Sequence, residues 1–413
     1  MSLKTNSPGA EQKYRLASNS FNEEEIEAAM AVMRSGYYTM GEKTKTFERA
    51  IAEWIGAKHA IMVNSGSSAN LLLVEAMMRP LHGEPKLQVG DEVLVPALSW
   101  PTTIWPLVQL GLVPVFIDID PATLAIDLES ARKALSPKVK GLFLIHVLGQ
   151  AANMKAIADF CEENRITLME DCCESLGAYF NEEHVGTFGV GGTYSHFFSH
   201  HLTTMEGGTI ITNNDQIADD LKGLRAHGWS RDRSDKNYWE KKYPHLDPRF
   251  LFVQTGYNVR PTDLQAAIGL VQIKKIDRFL DTRLESARLA HELTQKHAPW
   301  IRLIGNEKLQ SVNSRTQRTH SWMTLPFVLD EKSPVNVHQV KEILEKHMVE
   351  TRPIIAGNLV KHPVMDRIKT RVVGEMKNSD RILDRGFMIG CHAEFTQQDR
   401  DILTHAFSQL SRL

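Results

Sequence analysis

Two stretches of the chain place polar side chains directly after apolar runs. Asn64-Ser65-Gly66-Ser67-Ser68 follows the apolar run 60–63 and opens a segment of helical pattern. A helix N-terminus offers free N–H groups and the positive end of the helix dipole, so this turn suits a phosphate group. An ordinary helix cap would use the same residues, and the turn alone does not decide between the two.

The second stretch is Met169-Glu170-Asp171-Cys172-Cys173-Glu174, at the end of another apolar run. Ligands of open α/β sheets bind at the carboxyl ends of the strands. A carboxylate at Asp171 could keep a pyridinium nitrogen protonated and so make the ring an electron sink. Capping of the following turn is the more common role of an isolated aspartate. Glu174 lies three residues further on and could face the same cleft.

The segment from Ser195 to Gly208 reads SHFFSHHLTTMEGG and contains no lysine. It resembles the DegT/StrS family of sugar aminotransferases, in which a serine precedes the cofactor-binding lysine by five residues and a glycine-rich turn follows. Here Ser195 matches the serine, Glu206-Gly207-Gly208 matches the turn, and His200 stands where the lysine would be.

The resemblance covers nearly the whole chain, through segments 35–41, 65–67, 146–150, 170–171 and 256–263. It implies a pyridoxal 5'-phosphate (PLP) enzyme whose phosphate is held by Gly66, Ser67 and Ser195. Ser68 would add a further hydroxyl, Asp171 would pair with the pyridine nitrogen, and Trp100 would stack over the ring. Without the resemblance, a core aromatic would be the favoured reading of Trp100. Asn258 would reach the cofactor phosphate of the neighbouring subunit in a homodimer.

A histidine at the lysine position changes the chemistry that the resemblance implies. Imidazole cannot form the covalent link that lysine forms, but near neutral pH it can accept and return a proton. This matches the 3-dehydratase branch of the family, in which aminated cofactor (PMP) condenses with a sugar 4-ketone and the carbon-3 hydroxyl is expelled. The implied catalytic residues are His200, Asp171 and Glu174. His201 is the adjacent candidate, but His200 has the lysine's register, six residues before Glu206.

Cysteine content separates the two kinds of dehydratase in this branch. One kind carries an iron–sulfur cluster on four cysteines and needs a reductase partner. This chain has four cysteines in all, and none lies between Cys173 and Cys391. Because clusters need thiolates at compact spacings, we expect no iron–sulfur cluster, no reductase partner and no metal. The chain resembles the other kind, which acts on GDP-4-keto-6-deoxymannose, takes an amino group from L-glutamate and releases ammonia.

Glu174 departs from the glutamine or histidine that is common at this place in the aminotransferases. A carboxylate near the ring hydroxyl of the cofactor would alter the protonation of that hydroxyl and leave room for a cofactor that is not covalently bound. This is a hypothesis.

Several alternatives stay open at this stage. An ordinary sugar aminotransferase and an inactive homologue that senses cofactor or sugar share the same resemblance. The sequence does not choose the nucleotide or the sugar. Segment 228–255 carries basic residues that either contact a diphosphate, through the forked geometry of arginine, or lie solvated beside acidic neighbours: Arg231, Arg233, Lys241, Lys242 and Arg249.

The elements that must position these residues alternate along the chain. Apolar runs at 60–63, 92–96, 113–119, 141–147 and 167–169 are separated by helical patterns, which predicts a mostly parallel sheet covered on both faces. The resemblance implies the α/β fold of the aspartate-aminotransferase type (fold type I). We expect a large PLP-binding domain at 1–275 and a smaller α/β domain at 276–413, which begins with a charged helix.

Composition and net charge exclude few classes of protein, but they are consistent with an enzyme that acts on small molecules. The formal net charge is -2, which gives no reason to expect a nucleic acid or an anionic membrane as partner. The N-terminal stretch is polar and predicts neither a signal peptide nor an anchor, and few cysteines favour a cytoplasmic location. The implied setting is deoxysugar biosynthesis, as for lipopolysaccharide O-antigens.

Overall fold

The computed structural model describes residues 13–309, 312 and 314–413. The first twelve residues, on which the prediction of no signal peptide rests, lie outside this range. The strands are β1 (His59–Val63), β2 (Glu92–Pro96), β3 (Val113–Ile117), β4 (Val139–Ile145), β5 (Thr167–Asp171), β6 (Tyr179–Phe180), β7 (Glu183–His184), β8 (Gly192–Ser195), β9 (Gly208–Thr212), β10 (Ile301–Leu303), β11 (Thr324–Leu329), β12 (Thr351–Arg352), β13 (Arg371–Val372) and β14 (Gly386–Gly390).

A helix lies between each pair of successive apolar runs, as the helical patterns there predict. The helices of the described chain are α1 (Glu23–Ser35), α2 (Glu42–Ile55), α3 (Gly66–Met78), α4 (Pro101–Gln109), α5 (Leu128–Lys133), α6 (Met154–Glu163), α7 (Asp215–Arg225), α8 (Lys236–Lys242), α9 (Asp263–Gln272), α10 (Ile276–His297), α11 (Val337–Lys346), α12 (Lys377–Arg385) and α13 (Gln397–Leu410).

The larger sheet has eight strands in the order β1-β9-β8-β5-β4-β2-β3-β13. All of them run in one direction except β9, which is antiparallel to both of its neighbours. The predicted parallel sheet is therefore confirmed with one reversed strand. The reversal arises because the chain returns directly from β8 to β9 through residues 196–207 and has no crossover helix there. That return segment carries His200.

Both faces of this sheet are covered, as continuous apolar strands require. Alternate residues of a strand point to opposite faces. Val93 and Val95 of β2 therefore pack on one face with apolar residues of α3 and α4. Leu94, between them, packs on the other face with Phe160 of α6.

A second sheet has four strands in the order β10-β11-β14-β12 and packs against α10, α11 and α13. The segment before α1 belongs to this body: Tyr14 bridges to Val349 and is fully buried, and its hydroxyl donates to the carbonyl of Gly390. Strand β13 returns to the large sheet beside β3. Helix α10 starts at Ile276, where the sequence predicts the small domain to begin, and the boundary itself stays a prediction.

Segment 228–255, whose sequence has little periodicity, contains an α-helix. Helix α8 lies within it, and Trp239 of that helix is buried. In the described part of the chain, no helix is long and apolar enough to cross a membrane.

Candidate active site

A cavity of about 680 Å³ lies where the carboxyl ends of several strands of the large sheet meet the second sheet. Strands β1, β2, β5 and β8 point the same way, so the residues that follow them gather at one edge. The large-sheet side of the wall is lined by Ser65, Gly66, Ser67, Trp100, Asp171, Glu174, Ser195 and His200, and the other side by Met323, Thr324, Arg352 and Met388.

The turn before α3 forms an anion cradle against β8. Ser65 caps the helix by accepting the N–H of Ser68, and the N–H groups of Gly66 and Ser67 before it have no partner within the helix. A Cβ at Gly66 would lie 2.7 Å from the Cβ of Ser195. Glycine is therefore required for Ser195 and the helix N-terminus to come together. Ser67 is exposed at this N-terminus and lines the cavity.

Ser68 lies one position beyond the cradle and does not belong to the cavity wall. Its hydroxyl donates to the side chain of Asn64 at 2.7 Å. The hydroxyl therefore has a partner within the turn, and the phosphate contact that the sequence predicts for Ser68 stays a prediction.

Asp171 is buried and held by three donors. Its Oδ2 accepts from Asn70 Nδ2 and from the Thr103 hydroxyl, both at 2.7 Å, and its Oδ1 accepts the backbone N–H of Cys173 at 3.0 Å. The neighbouring Glu170 points to the opposite face of β5 and accepts backbone N–H groups between residues 186 and 189. Of this pair, Asp171 is therefore the residue that faces the cavity.

Trp100 stands at the N-cap of α4, immediately before Pro101. Its side chain is 55% exposed and lines the cavity. The alternative of a core aromatic is therefore wrong, and the indole is available to stack on a planar ligand.

His200 lies in the return between β8 and β9. Its Nδ1 is 2.6 Å from the carbonyl oxygen of Cys173. A carbonyl can only accept, so Nδ1 carries the proton and, in the neutral ring, Nε2 carries the lone pair. Burial lowers the pKa of His200 to about 4, against the opposing effect of the Cys173 carbonyl. The imidazole is thus neutral at physiological pH.

His201 occupies a different environment. It is buried, its Nε2 donates to the carbonyl of Ser321 at 3.0 Å, and it does not line the cavity. The structure thus brings His200, and not its neighbour, to the cavity.

Glu174 lines the cavity beside Asp171 and accepts the backbone N–H of Leu148 at 2.8 Å. Burial raises the pKa of Glu174 to about 7, and the charge of Asp171 acts in the same direction. This carboxyl group can therefore donate or accept a hydrogen bond near neutral pH.

Asn258 is exposed and does not line the cavity of its own chain. Its side-chain oxygen accepts from the Nε of Arg260 at 3.0 Å. The structure therefore places Asn258 outside the cavity of its own chain, and its contact with the phosphate of a neighbouring subunit stays a prediction.

Three residues at or behind the cavity were not found from the sequence: Asn70, Thr103 and Arg352. Asn70 and Thr103 carry no signal in the sequence, because their role depends on where Asp171 comes to lie. Arg352 is the one arginine or lysine lining the cavity in the described chain. Its guanidinium donates to Glu350, whose other carboxylate oxygen accepts the backbone N–H of Leu16.

Several basic residues of segment 228–255 have partners close by. Arg233 is buried and paired with Asp220 and Asp235, and Arg249 pairs with Asp247. Arg231 is exposed and lies 4.3 Å above the ring of Trp229. Arg233 is therefore structural, and a diphosphate contact by the rest of this segment stays a prediction.

The model of the DegT/DnrJ/EryC1/StrS aminotransferase family matches residues 19–408. A GDP-4-keto-6-deoxy-D-mannose 3-dehydratase of Yersinia pseudotuberculosis is 37% identical over 382 residues, which cover 92% of this chain and 94% of the relative. A structure of the Escherichia coli GDP-4-keto-6-deoxy-D-mannose-3-dehydratase with bound hydrated PLP has a TM-score of 0.86 at 36% identity and covers 95% of this chain and 99% of that one.

A further crystal structure of a GDP-4-keto-6-deoxymannose-3-dehydratase holds a trapped PLP-glutamate geminal diamine. It matches with a TM-score of 0.85 at 36% identity and covers 95% of this chain and all of that chain, 100%. The predicted α/β aminotransferase fold is therefore confirmed.

Proposed function

The chain belongs to the DegT/DnrJ/EryC1/StrS aminotransferase family, and we propose that it is a PLP-dependent 3-dehydratase of a nucleotide-linked 4-keto-6-deoxy sugar. L-Glutamate is the amino donor and ammonia is released. The observation that carries this proposal is His200, a neutral imidazole on the cavity wall beside Asp171. Within the described residues, no lysine lines the cavity.

The residues present fit the cofactor. The cradle of Gly66, Ser67 and Ser195 offers N–H and hydroxyl donors to a phosphate. Oδ1 of Asp171 accepts the N–H of Cys173 and has a second lone pair for a ring N–H. Trp100 offers an exposed indole for stacking. When bound, PLP supplies an electron-accepting ring and, once aminated, the amine that condenses with the sugar ketone.

His200 moves the proton that elimination requires. Its Nε2 accepts a proton, and the Cys173 carbonyl, which holds Nδ1–H, keeps the ring in one tautomer and one orientation. A pKa near 4 means that the base is deprotonated before substrate arrives. The imidazolium formed by proton uptake then has Nε2–H available to protonate the leaving hydroxyl.

Glu174 and Arg352 supply the other charged groups of the cavity. Glu174, with its pKa near 7, can hold a hydrogen bond to a cofactor hydroxyl in either protonation state. Arg352 is the positive group for a carboxylate or phosphate of the substrates. Glu174→Gln is expected to weaken cofactor retention and turnover, whereas unchanged values for both would count against a role for Glu174.

The overall reaction balances without an external reductant. Glutamate is oxidised to 2-oxoglutarate and supplies two electrons, the carbon–oxygen bond at carbon 3 breaks, and a carbon–hydrogen bond replaces it. The oxygen leaves as water, and hydrolysis, which consumes water, releases the nitrogen as ammonia. A reductase partner is therefore not needed.

A homodimer and a cytoplasmic location complete the proposal. The exposed position of Asn258, away from its own cavity, supports a role in the cavity of a second copy. The sugar nucleotide and glutamate are the expected small-molecule partners.

Incubation of the protein with PLP, glutamate and a panel of GDP-, CDP-, UDP- and dTDP-linked 4-keto-6-deoxy sugars tests this function. We expect one nucleotide sugar to lose an oxygen, with 2-oxoglutarate and ammonia formed in equal amounts. Borohydride treatment should not fix PLP to the protein. Formation of an amino sugar without ammonia would instead identify an aminotransferase, and no conversion of PLP by glutamate would indicate an inactive homologue.

A further inference from the structure

Asn70 is a fully buried amide behind the cavity wall, and the proton transfer described above does not use it. It lies on α3, one helical turn after the phosphate cradle. Its Nδ2 donates to Asp171 Oδ2 at 2.7 Å and to the backbone carbonyl of Thr102 at 3.2 Å. Its Oδ1 accepts the hydroxyl of Thr193 at 2.6 Å.

The partners determine which way the amide points. Neither the Thr102 carbonyl nor an ionised Asp171 can donate a hydrogen bond, so the NH₂ group must face both of them. The Thr193 hydroxyl is left to donate to Oδ1. Only one orientation of the amide satisfies the hydrogen bonds at both of its ends. An aspartate at position 70 would have the same shape, but it could donate to Asp171 only if it carried a proton.

The network that passes through Asn70 joins the four elements that carry the cofactor-binding residues. Thr193 precedes Ser195 by two positions on β8, so both side chains lie on the same side of that strand. Thr103 follows Trp100 by three positions at the start of α4 and also donates to Asp171. Asn70 itself shares α3 with Gly66 and Ser67.

We propose that Asn70 is a positioning residue, which fixes the Asp171 carboxylate in the orientation and charge state that keep the cofactor ring nitrogen protonated. This inference rests on the proposed function, because it takes PLP as the ligand. Loss of the amide removes one of the two donors to Oδ2. An aspartate at position 70 would place two carboxylates within hydrogen-bond distance, and two such groups share a proton.

The protonation state of bound PLP, labelled with ¹⁵N in the ring, tests the proposal directly by NMR. In the unaltered protein we expect a protonated ring nitrogen across neutral and mildly alkaline pH. In Asn70→Asp and Asn70→Leu the ¹⁵N shift should move toward the unprotonated value, and PLP should bind at least about tenfold more weakly. In amination by glutamate, kcat should fall about tenfold or more, while KM for glutamate changes little.

Thr193→Val provides a second variant that leaves the Asn70–Asp171 contact in place and removes the hydroxyl that donates to Asn70, together with its longer contact to the Glu170 carbonyl at 3.4 Å. It should shift the ¹⁵N signal in the same direction by a smaller amount, so the proposal stays testable if an Asn70 variant fails to fold. Asn164→Leu, which removes an amide that donates to the Phe160 carbonyl away from the cavity, is the matched control. It should leave the ¹⁵N shift and the PLP affinity unchanged.

The proposal is wrong if the Asn70 variants fold and have the same ¹⁵N shift and the same PLP affinity as the unaltered protein. The proposed function fails separately: a protein whose PLP ring is protonated, but which removes no oxygen from any sugar of the panel, would contradict the function and leave the role of Asn70 intact.

Discussion

Among single residues, His200 and Glu174 show how one cavity shifts two pKa values in opposite directions. Burial favours the neutral form of each group, so it lowers the pKa of the imidazole to about 4 and raises that of the carboxyl group to about 7. A neutral base and a carboxyl group that can hold a proton then exist together at physiological pH. This pairing suits a site that must move protons without a covalent tether to the cofactor.

Replacing His200 with asparagine should abolish dehydration and leave cofactor binding largely intact. Asparagine can still donate to the Cys173 carbonyl, but it cannot accept a proton at neutral pH, so turnover should fall by at least about a hundredfold. Steady-state assays and a PLP titration measure the two effects. His201→Asn, altered at the buried neighbour, should lower thermal stability more than it lowers turnover. Full activity in the His200 variant would contradict the role of His200 as the base.

Glu174 should make the stability of the cofactor-free protein depend on pH. Its folded pKa, about 7, is higher than the ordinary value of 4.5, so the folded state binds more protons than the unfolded state between these values. The contribution of Glu174 to stability is therefore present at low pH and is lost as pH rises toward 7. Relative to Glu174→Gln, the protein should lose up to roughly 2–3 kcal/mol between pH 5 and pH 8.

Denaturant titrations of the unaltered protein and of Glu174→Gln at several pH values measure this difference. A stability difference between the two proteins that does not change with pH would contradict the raised pKa. The comparison uses the cofactor-free protein, because bound PLP would change the surroundings of the carboxyl group.

Among the elements, the contact between α3 and β8 determines whether a phosphate can be held. Gly66 lies at the first turn of α3 and leaves no room for a Cβ beside Ser195. The start of α3 and the end of β8, which are far apart in sequence, can therefore form the cradle only if a glycine stands where they meet. The approach is between a helix end and a strand backbone, neither of which can give way easily.

Gly66→Ala should weaken PLP binding at least about tenfold, because its methyl group meets the backbone and Cβ of Ser195 and forces the cradle open. Gly223→Ala is the matched control: it is another helical glycine, and the atoms nearest to its added methyl group belong to the side chain of Gln254 and not to a backbone. This variant should keep its PLP affinity. Fluorescence titration of PLP compares the two, and equal affinities would show that the cradle adapts.

The sequence predicts strongly apolar elements well and contacts between distant segments poorly. Strand β2 and helix α10 occur at the predicted residues because their patterns are continuous. The sequence does not predict strands β8 and β9, because GTYS and GTIIT are not continuous apolar runs and the reversal of β9 depends on tertiary pairing. His200 was found because its register to Glu206 is local. Asn70 was missed because its partner lies 101 positions away.

For the whole molecule, the exposed Asn258 makes a prediction about assembly. If the asparagine of one subunit completes the cavity of another, two inactive variants should complement each other. Mixing His200→Asn with Asn258→Ala under conditions of subunit exchange should restore about a quarter of the normal activity, since half of the dimers are mixed and each has one intact site. An activity assay of the mixture, with sedimentation to establish the dimer, measures this.

Each variant alone serves as the control for this mixture. If the activity of the mixture does not exceed the sum of the two variants, in a protein shown to exchange subunits, Asn258 does not complete the cavity of a second copy. A monomeric protein with full activity would contradict the dimer.

The docked segment that begins the described chain has a practical consequence for anyone who shortens the protein. Tyr14 is held in the second sheet, and Leu16 both lines the cavity and donates to Glu350, the partner of Arg352. A truncation that removes residues through Leu16 would open one wall and remove a backbone donor from the carboxylate of Glu350, to which Arg352 donates. Expression designs that trim the chain end by length alone would thus damage a site whose main residues lie far downstream, between Ser65 and His200.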